Sequence, residues 1–414
     1  MQGGGDMKIE VHHKCQDYNS YRAARSKSLF NVESGCNFDL TADLPIDDDW
    51  RLGLIVGPSG SGKTSIGRKI LGDDAFYVFD GWPKDKPIID AIAPESKFDD
   101  VVGALSSVGL GDVPSWLRPY NVLSNGEQFR ANLARVVCEA PDRVVIDEFT
   151  SVVDRQVAKI GAYAFSKAWK RKQAGKCVLL SCHYDIIDWL EPDWVYDIAT
   201  GKYQGRGLWR RPKIELEIYQ TNWSYWKMFE PHHYLKAGNM IAGFPYVGAI
   251  EGKPVAHIAF TTRPGMKEAR CARFVVMPEY QGCGLGLSFM NHICQMWLEG
   301  QNRYGKPMRT TINTSHPGLC AALRRNPLWR QYNGELYGAN KAKSGKNINE
   351  AWAKSKKNGK GLQGEPGGYG GHFRSTQGFR HYGKSATPPG TVGGGHMRAM
   401  QGFRYYGEQI KGGE

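Results

Sequence analysis

Short apolar runs recur through the first half of the chain, at 51–56 (RLGLIV), 143–146 (RVVI) and 177–181 (CVLLS), with helical stretches between them. The alternation predicts strands and helices in turn, the rhythm of a wound α/β sheet. A second α/β unit begins near 212, with a Trp/Tyr-rich segment, TNWSYWKMFEPHHYL (221–235). YVGAI (246–250) and VAHIAF (255–260), joined by EGKP, predict a hairpin. Another strand, a glycine loop and a helix follow. From 336 onward Gly, Lys and aromatic residues dominate and aliphatics are sparse, so this part is expected to build no core of its own. The expected divisions are 1–211, 212–335 and 336–414. Within the last, GGHFRSTQGFRHYG (370–383) returns as GGHMRAMQGFRYYG (394–407). Two copies are too few for a solenoid. They read as two short basic-aromatic modules, or as two strands with the same job.

Length and charge sharpen this picture. A chain of 414 residues suits two domains with extensions. Its net charge is +13, and residues 336–414 hold thirteen Lys/Arg against four Asp/Glu. Such a balance favours an anionic partner, either nucleic acid, a nucleotide or an acidic membrane. No stretch approaches the roughly 20 apolar residues that a membrane span needs. The start, MQGGGDMKIEVHHK, lacks the apolar core of a secretory signal. Nine cysteines stand singly without a CxxC pair, which suits reduced thiols in the cytoplasm.

GPSGSGKTS (57–65) lies between an apolar strand and the helix-like SIGRKIL, the setting a phosphate loop requires. Gly57, Gly60 and Gly62 would let the backbone N–H groups of the loop, Ser59 and Ser61 included, turn inward around phosphates. Lys63 would reach the β- and γ-phosphates, Thr64 would offer its hydroxyl to Mg²⁺, and Ser65 closes the motif. RVVIDEFTSVVDR (143–155) delivers Asp147 to the metal and Glu148 to the attacking water. These residues read as an ATP site.

LSNGEQFR (123–130) resembles the signature motif of ABC ATPases, with Asn125 at one glycine position. The resemblance implies that Ser124, Gly126 and Glu127 of one subunit cap the nucleotide of another, in an ATP-dependent head-to-tail homodimer. SVVDR matches the D-loop, with Asp154, and His183 in LLSCHYD matches the switch histidine; the alternative for His183 is a satisfied core residue. The Q-loop glutamine expected after the strand AFYVFD (75–80) is missing. DGWPKDKP stands there, with Trp82 and Asp85 as substitutes. In transporters the region between phosphate loop and signature couples to the membrane domain. Here it is short, and with no membrane span the chain resembles the non-transport ABC ATPases of DNA repair, chromosome and translation factors. Tyr21 and Phe30 are candidates for stacking on adenine.

RCARFVVMPEYQGCGLGLSFMNHI (270–293) resembles motif A of GNAT acetyltransferases. The pattern reads Gln281-Gly282-Cys283-Gly284-Leu285-Gly286 after the strand that carries Val275, Val276 and Met277. The resemblance implies that the loop grips the pyrophosphate of acetyl-CoA at a helix N-terminus and that the strand bonds the pantetheine arm. The alternative is a generic glycine-rich strand-to-helix turn. The two resemblances imply an α/β fold class, an ABC-type P-loop domain followed by a GNAT-fold domain and a Gly-rich basic tail. The GNAT half is also distantly similar to Mom-type phage enzymes that modify adenine in DNA, through His233-Tyr234. Acyl transfer needs a base and an acid. His233 and Tyr234 lead the candidates, with His232, Glu279 and His316 behind them, and each has a packing role as its alternative. The combined expectation is an ATP-dependent acyltransferase acting on nucleic acid, DNA before RNA. Phe379, Tyr382, Phe403 and Tyr406 would stack on bases. An RNA or protein acceptor, and an ATP-switched nucleic-acid binder with an inactive GNAT fold, are the alternatives.

Overall fold

In the first half, short apolar runs pair in parallel as the body of one sheet, and a short polar strand adds to its edge antiparallel. A computed structural model describes residues 7–14, 18, 20–30, 37–46, 49–205, 207, 209, 212, 214–233, 243–262, 268–335 and 376–381. The chain divides into two units, Met1–Ser96 with Arg118–Lys213, and Lys97–Leu117 with Ile214–Glu414.

In the first unit β1 (Met7–Lys14) and β2 (Asn37–Leu44) pair antiparallel as a separate ribbon. The main sheet is built from β3 (Leu52–Val56), β4 (Arg143–Ile146), β5 (Lys176–Ser181), β6 (Trp194–Asp197) and β7 (Lys202–Gln204). Their order is β4-β5-β3-β6-β7, parallel except for β7. Parallel strands buried on both faces read as continuous apolar runs, and all five residues of β3 are buried. Gly53 is required there, since a Cβ would stand 2.1 Å from the Trp194 ring. The carboxyl ends of β3, β5 and β4 lie side by side, the usual place for a ligand on an open α/β sheet. The expected strand AFYVFD does not form. Only Phe76 bridges to Val145, and Tyr77 N–H donates to the Val145 carbonyl. Beyond that the chain turns to the helix Asn125–Glu139, where Tyr77 Oη donates to Glu139 (2.5 Å) and Arg135 to the Asp80 carbonyl (2.9 Å).

Among the described residues the second unit has seven strands: β8 (Glu217–Gln220), β9 (Gly243–Ile250), β10 (Lys253–Thr261), β11 (Glu268–Val276), β12 (Arg309–Thr314), β13 (Trp329–Glu335) and β14 (Thr376–His381). Their order is β13-β14-β12-β11-β10-β9-β8. The hairpin β9–β10 turns at Glu251 (φ 51°) and Gly252 (φ 74°), two left-handed residues that match the strand twist. The pairing of β10 with β11 skips Ala272, a bulge that bends β11. At the same point β11 leaves β12. The two run parallel only from Glu268–Arg309 to Cys271–Ile312. Between them the chain crosses over as the helix Leu285–Leu298, which buries Leu285, Phe289, Met290, Ile293, Cys294 and Trp297 along one stripe. Trp297 Nε1 donates to Tyr246 Oη at 3.0 Å inside this core.

Two expectations change here. Part of the first repeat is not a tail, because β14 inserts between β12 and β13. Phe379 is fully buried in the core, so it is not a ring for stacking on bases. The alternating sequence of a strand explains this, placing Phe379 opposite Ile312 on one edge and Gln331 on the other. Tyr382, Phe403 and Tyr406 lie outside the described residues. Second, the segment between phosphate loop and signature does not all stay with the ATPase half. Its helix Phe98–Ser107 packs against the helix Pro317–Arg325 of the second unit. Gly318 permits the approach, since a Cβ there would lie 2.5 Å from Ser106.

Candidate functional site

The sequence-predicted phosphate-loop residues fall in the loop after β3 and in the first turn of the helix Lys63–Leu71. Gly60 (φ 76°) and Gly62 (φ 95°) are left-handed, a conformation a side chain would oppose. Ser59 is exposed at the loop tip, and the Ser61 hydroxyl is buried with no partner among the described residues. Gly62 opens the helix Lys63–Leu71 without a side-chain cap, so its first N–H groups are left for an anion. Lys63 is 7% exposed and folds back, Nζ donating to the carbonyls of Gly57 (2.9 Å) and Pro58 (2.7 Å). Ser65 lies half-buried in the first turn of that helix. Thr64 Oγ1 donates to Asp147 Oδ2 at 2.9 Å, joining the loop to the end of β4.

A strained turn follows β4. Glu148 (φ 51°) and Thr150 (φ 72°) are both left-handed without being glycine. Asp147 Oδ1 accepts from the Glu148 N–H (2.8 Å), and Glu148 Oε2 accepts from Ser151 Oγ (2.5 Å). The turn is pinned to β5 by Phe149 N–H to the Leu180 carbonyl (2.8 Å) and by Ser181 Oγ to the Phe149 carbonyl (3.0 Å). His183, just past β5, meets Thr150 Oγ1 through Nδ1 at 3.1 Å. Desolvation, with Arg155 nearby, lowers its pKa below the usual imidazole value, so the ring is neutral at pH 7. The geometry brings Lys63, Thr64, Asp147, Glu148 and His183 to one edge of the sheet. Among the described residues no cluster of three or more His, Cys, Asp or Glu would hold a metal alone. A hydroxyl beside one carboxylate fits Mg²⁺ that also takes phosphate and water oxygens.

The signature residues are gathered at the start of the helix Asn125–Glu139. Ser124 and Glu127 form a reciprocal cap. Ser124 N–H and Oγ both donate to Glu127 Oε2 (2.8 Å each), and Glu127 N–H donates to Ser124 Oγ (3.4 Å). Gly126 occupies the first turn between them. Asp154 caps the helix Arg155–Lys172, accepting from Gln156 and Val157 N–H at 3.0 Å. Of the Q-loop substitutes, Trp82 stacks on Tyr120 (4.6 Å, 5°) and donates to Asn132 (3.0 Å), whereas Asp85 is exposed. Tyr21 is exposed, and the Phe30 side chain lies outside the described residues.

In the second unit β11 runs into the loop 277–284. Val275 faces the cluster of Trp226, Phe229 and Val247, while Phe274 and Val276 face the main core, and Met277 N–H donates to the Val255 carbonyl (2.9 Å). Gly282 (φ 92°) and Gly284 (φ 86°) are left-handed, and Gly284 starts the helix Leu285–Leu298 without a side-chain cap. Gly286 rests on β11, since a Cβ would stand 2.8 Å from Val276 Cγ2. Leu285 is buried, and Cys283 lies with its Sγ 3.1 Å from the Tyr280 carbonyl. Gln281 Nε2 donates to the Val276 carbonyl (2.9 Å). The edge of β11 past the bulge has no ladder to β12. Uncapped helix N–H groups beside a strand end that has parted from β12 fit the pyrophosphate and pantetheine of acetyl-CoA.

The base candidates separate. His316 Nδ1 accepts from Leu319 N–H (3.1 Å), so its proton sits on Nε2 and is donated to the Gly111 carbonyl (2.7 Å). Both nitrogens are used in holding structure, and His316 is not a free base. His233 is buried, with its ring edge-on to Trp226 (5.4 Å, 67°). Tyr234 lies outside the described residues. His232 and Glu279 are half-buried in the two short turns that precede His233 and Gln281.

His257 was missed from the sequence, where it reads as one inward position of a strand. It is fully buried on β10 among Trp223, Trp226 and Phe229, and neither ring nitrogen has a partner among the described residues. Desolvation, with His233 nearby, pushes its pKa down to about 4. Below pH 6.5 the unfolded chain protonates this ring while the folded chain refuses the proton until about 4. Stability therefore falls with pH across that window, by on the order of 3 kcal/mol at its lower end. His257→Leu should flatten the acid side of the melting-temperature profile relative to wild type. Parallel profiles would contradict the burial of a neutral ring.

Comparison with known proteins assigns a family to part of the second half. Residues 215–305 match the model of the acetyltransferase (GNAT) family, so the chain contains a GNAT acetyltransferase domain. Among solved structures, the ATP-binding cassette MJ0796, in a dimeric post-hydrolysis state bound to ADP and Pi, is 13% identical. That match covers 49% of this chain and 99% of that one, with a TM-score of 0.33. A bacterial Atm1-family ABC exporter with ATP bound is 16% identical over 48% of this chain and 40% of that one, with a TM-score of 0.31. Comparison with curated proteins returned no significant match. Among the described residues no helix is long and apolar enough to cross a membrane.

Proposed function

We propose that the chain is an ATP-dependent acetyl- or acyltransferase that modifies a base in nucleic acid, DNA before RNA. The observation that carries the reading is the presence in one chain of two glycine loops, each leading into a helix without a side-chain cap. One is closed by Thr64 and Asp147 at 2.9 Å, and the other stands beside the end of β11, where its ladder to β12 has stopped. Acetyl-CoA, when bound, supplies an activated acyl group. The chain's own part is to hold the pyrophosphate on the N–H groups of Gly282 to Gly286, and the thioester arm along Val275 to Met277. Glu148 would orient or deprotonate the water that attacks ATP. Ser124 and Gly126 of a second copy would close over the nucleotide, so that ATP governs access to the acceptor.

The nucleic-acid acceptor is supported by charge. Nine of the thirteen net positive charges fall within 336–414, and Lys and Arg bind phosphates whatever the sequence of the bases. The test is transfer of label from radioactive acetyl-CoA to duplex DNA, bulk tRNA or a protein extract. Acid-insoluble counts removed by DNase are the expected result. Counts removed by RNase or protease move the acceptor to RNA or protein. No counts in any pool, with no acetyl-CoA binding, would leave only an ATP-switched binder.

A further inference from the structure

The segment Lys97–Leu117 lies in sequence between the phosphate loop and the signature, yet it belongs to the second unit. Its Gly111 stands where the two strands of the acyl-CoA cleft part. The Gly111 N–H donates to Gln281 Oε1 (3.0 Å), and its carbonyl accepts from His316 Nε2 (2.7 Å). Gln281 in turn holds the Val276 carbonyl at the end of β11. His316 N–H donates to Thr314 Oγ1 (3.0 Å) at the end of β12. One residue of the ATPase sequence thus ties together the two strand ends that separate after Cys271 and Ile312. The tie is packed. Trp116 is 2% exposed, sits edge-on to the His316 ring (5.7 Å), and donates from Nε1 to the Leu110 carbonyl (2.7 Å). The chain leaves this segment at Leu117, shortly before the signature LSNGEQ at 123–128.

We infer that Lys97–Leu117 is a regulatory arm through which ATP binding in the first unit changes the affinity of the Gln281–Gly286 cleft for acyl-CoA. The inference rests on the acyltransferase reading above. A tie across both strand ends resists their movement, so displacing the arm changes how the cleft grips the pantetheine and pyrophosphate. The coupling is reciprocal, and acetyl-CoA must shift ATP affinity by the same factor.

The experiment measures acetyl-CoA binding to the full chain carrying Glu148→Gln, with and without ATP and Mg²⁺, and ATP binding with and without acetyl-CoA. A shift of about 5-fold or more, equal in both directions, is expected. Two further substitutions are then added separately. Gly111→Ala places a methyl 2.8 Å from Gln281 Oε1, displacing a side-chain tip and no backbone. His316→Asn keeps a helix cap for Leu319 but cannot reach Gly111. Each should bind ATP alone as the parent does and lose the coupling, acetyl-CoA affinity becoming the same with and without ATP. Coupling that survives in both variants overturns the route through Gly111. No coupling in the parent, with both ligands bound, overturns the arm and leaves the acyltransferase standing. Failure to bind acetyl-CoA at all overturns both.

Discussion

Glu148→Gln should cut ATP hydrolysis by about 10²- to 10⁴-fold while leaving ATP affinity near wild type. The substitution removes a charge and a proton acceptor, and little else. The Thr64–Asp147 contact on the metal side is untouched, and Ser151 Oγ can donate to the amide oxygen as it does to the carboxylate. The left-handed backbone at Glu148 is held from both flanks, by Asp147 and by the Phe149 bonds to β5, so the turn persists. With ATP unspent, the variant should also sediment as a two-chain species when ATP and Mg²⁺ are present. Hydrolysis at the wild-type rate would remove Glu148 from the chemistry. A variant that stays monomeric with ATP bound would count against the head-to-tail dimer.

Gly286→Val should weaken acetyl-CoA binding by on the order of 10- to 100-fold without touching ATP hydrolysis. The backbone of the helix Leu285–Leu298 lies directly on β11 at this position. Even one added carbon would stand 2.8 Å from Val276 Cγ2 and 3.2 Å from the Phe274 ring. Overpacking of this kind costs about 1–3 kcal/mol and is relieved by moving backbone. Here the backbone that must move carries both the loop and the strand edge assigned to the cofactor. Titration with acetyl-CoA, alongside an ATPase assay on the same preparation, checks it. Unchanged acetyl-CoA affinity would mean that the cofactor does not use this loop.

Much of the candidate ATP site was legible because its chemistry is local. A phosphate loop needs glycines, a lysine and a hydroxyl at fixed spacing between a strand and a helix, and 57–65 spells all of these in order. The acidic pair at 147–148 is legible for the same reason. What stayed hidden depends on residues far apart in the chain. His257 is one histidine on an alternating strand, and only the packing of Trp223, Trp226 and Phe229 over it reveals a ring without partners. Phe379 read as part of a basic-aromatic repeat, since nothing local says that TQGFRH would find an open edge between β12 and β13. His316 read as a possible base until both of its nitrogens were found to be committed, one of them to Gly111. Ser124 and Glu127 carry a further lesson. Their spacing is that of a capping box as much as of a signature motif, and the structure uses them as the cap.

The most direct test of the account is the dependence of acyl transfer on ATP. Label from acetyl-CoA would be followed into acid-insoluble nucleic acid with wild-type chain, with and without ATP and Mg²⁺, and with Lys63→Ala as the variant whose phosphate loop has lost its cation. The account predicts transfer by wild type only when ATP is present, and none by Lys63→Ala under either condition. Equal transfer with and without ATP, or transfer undiminished in Lys63→Ala, would contradict it and leave two independent activities in one chain.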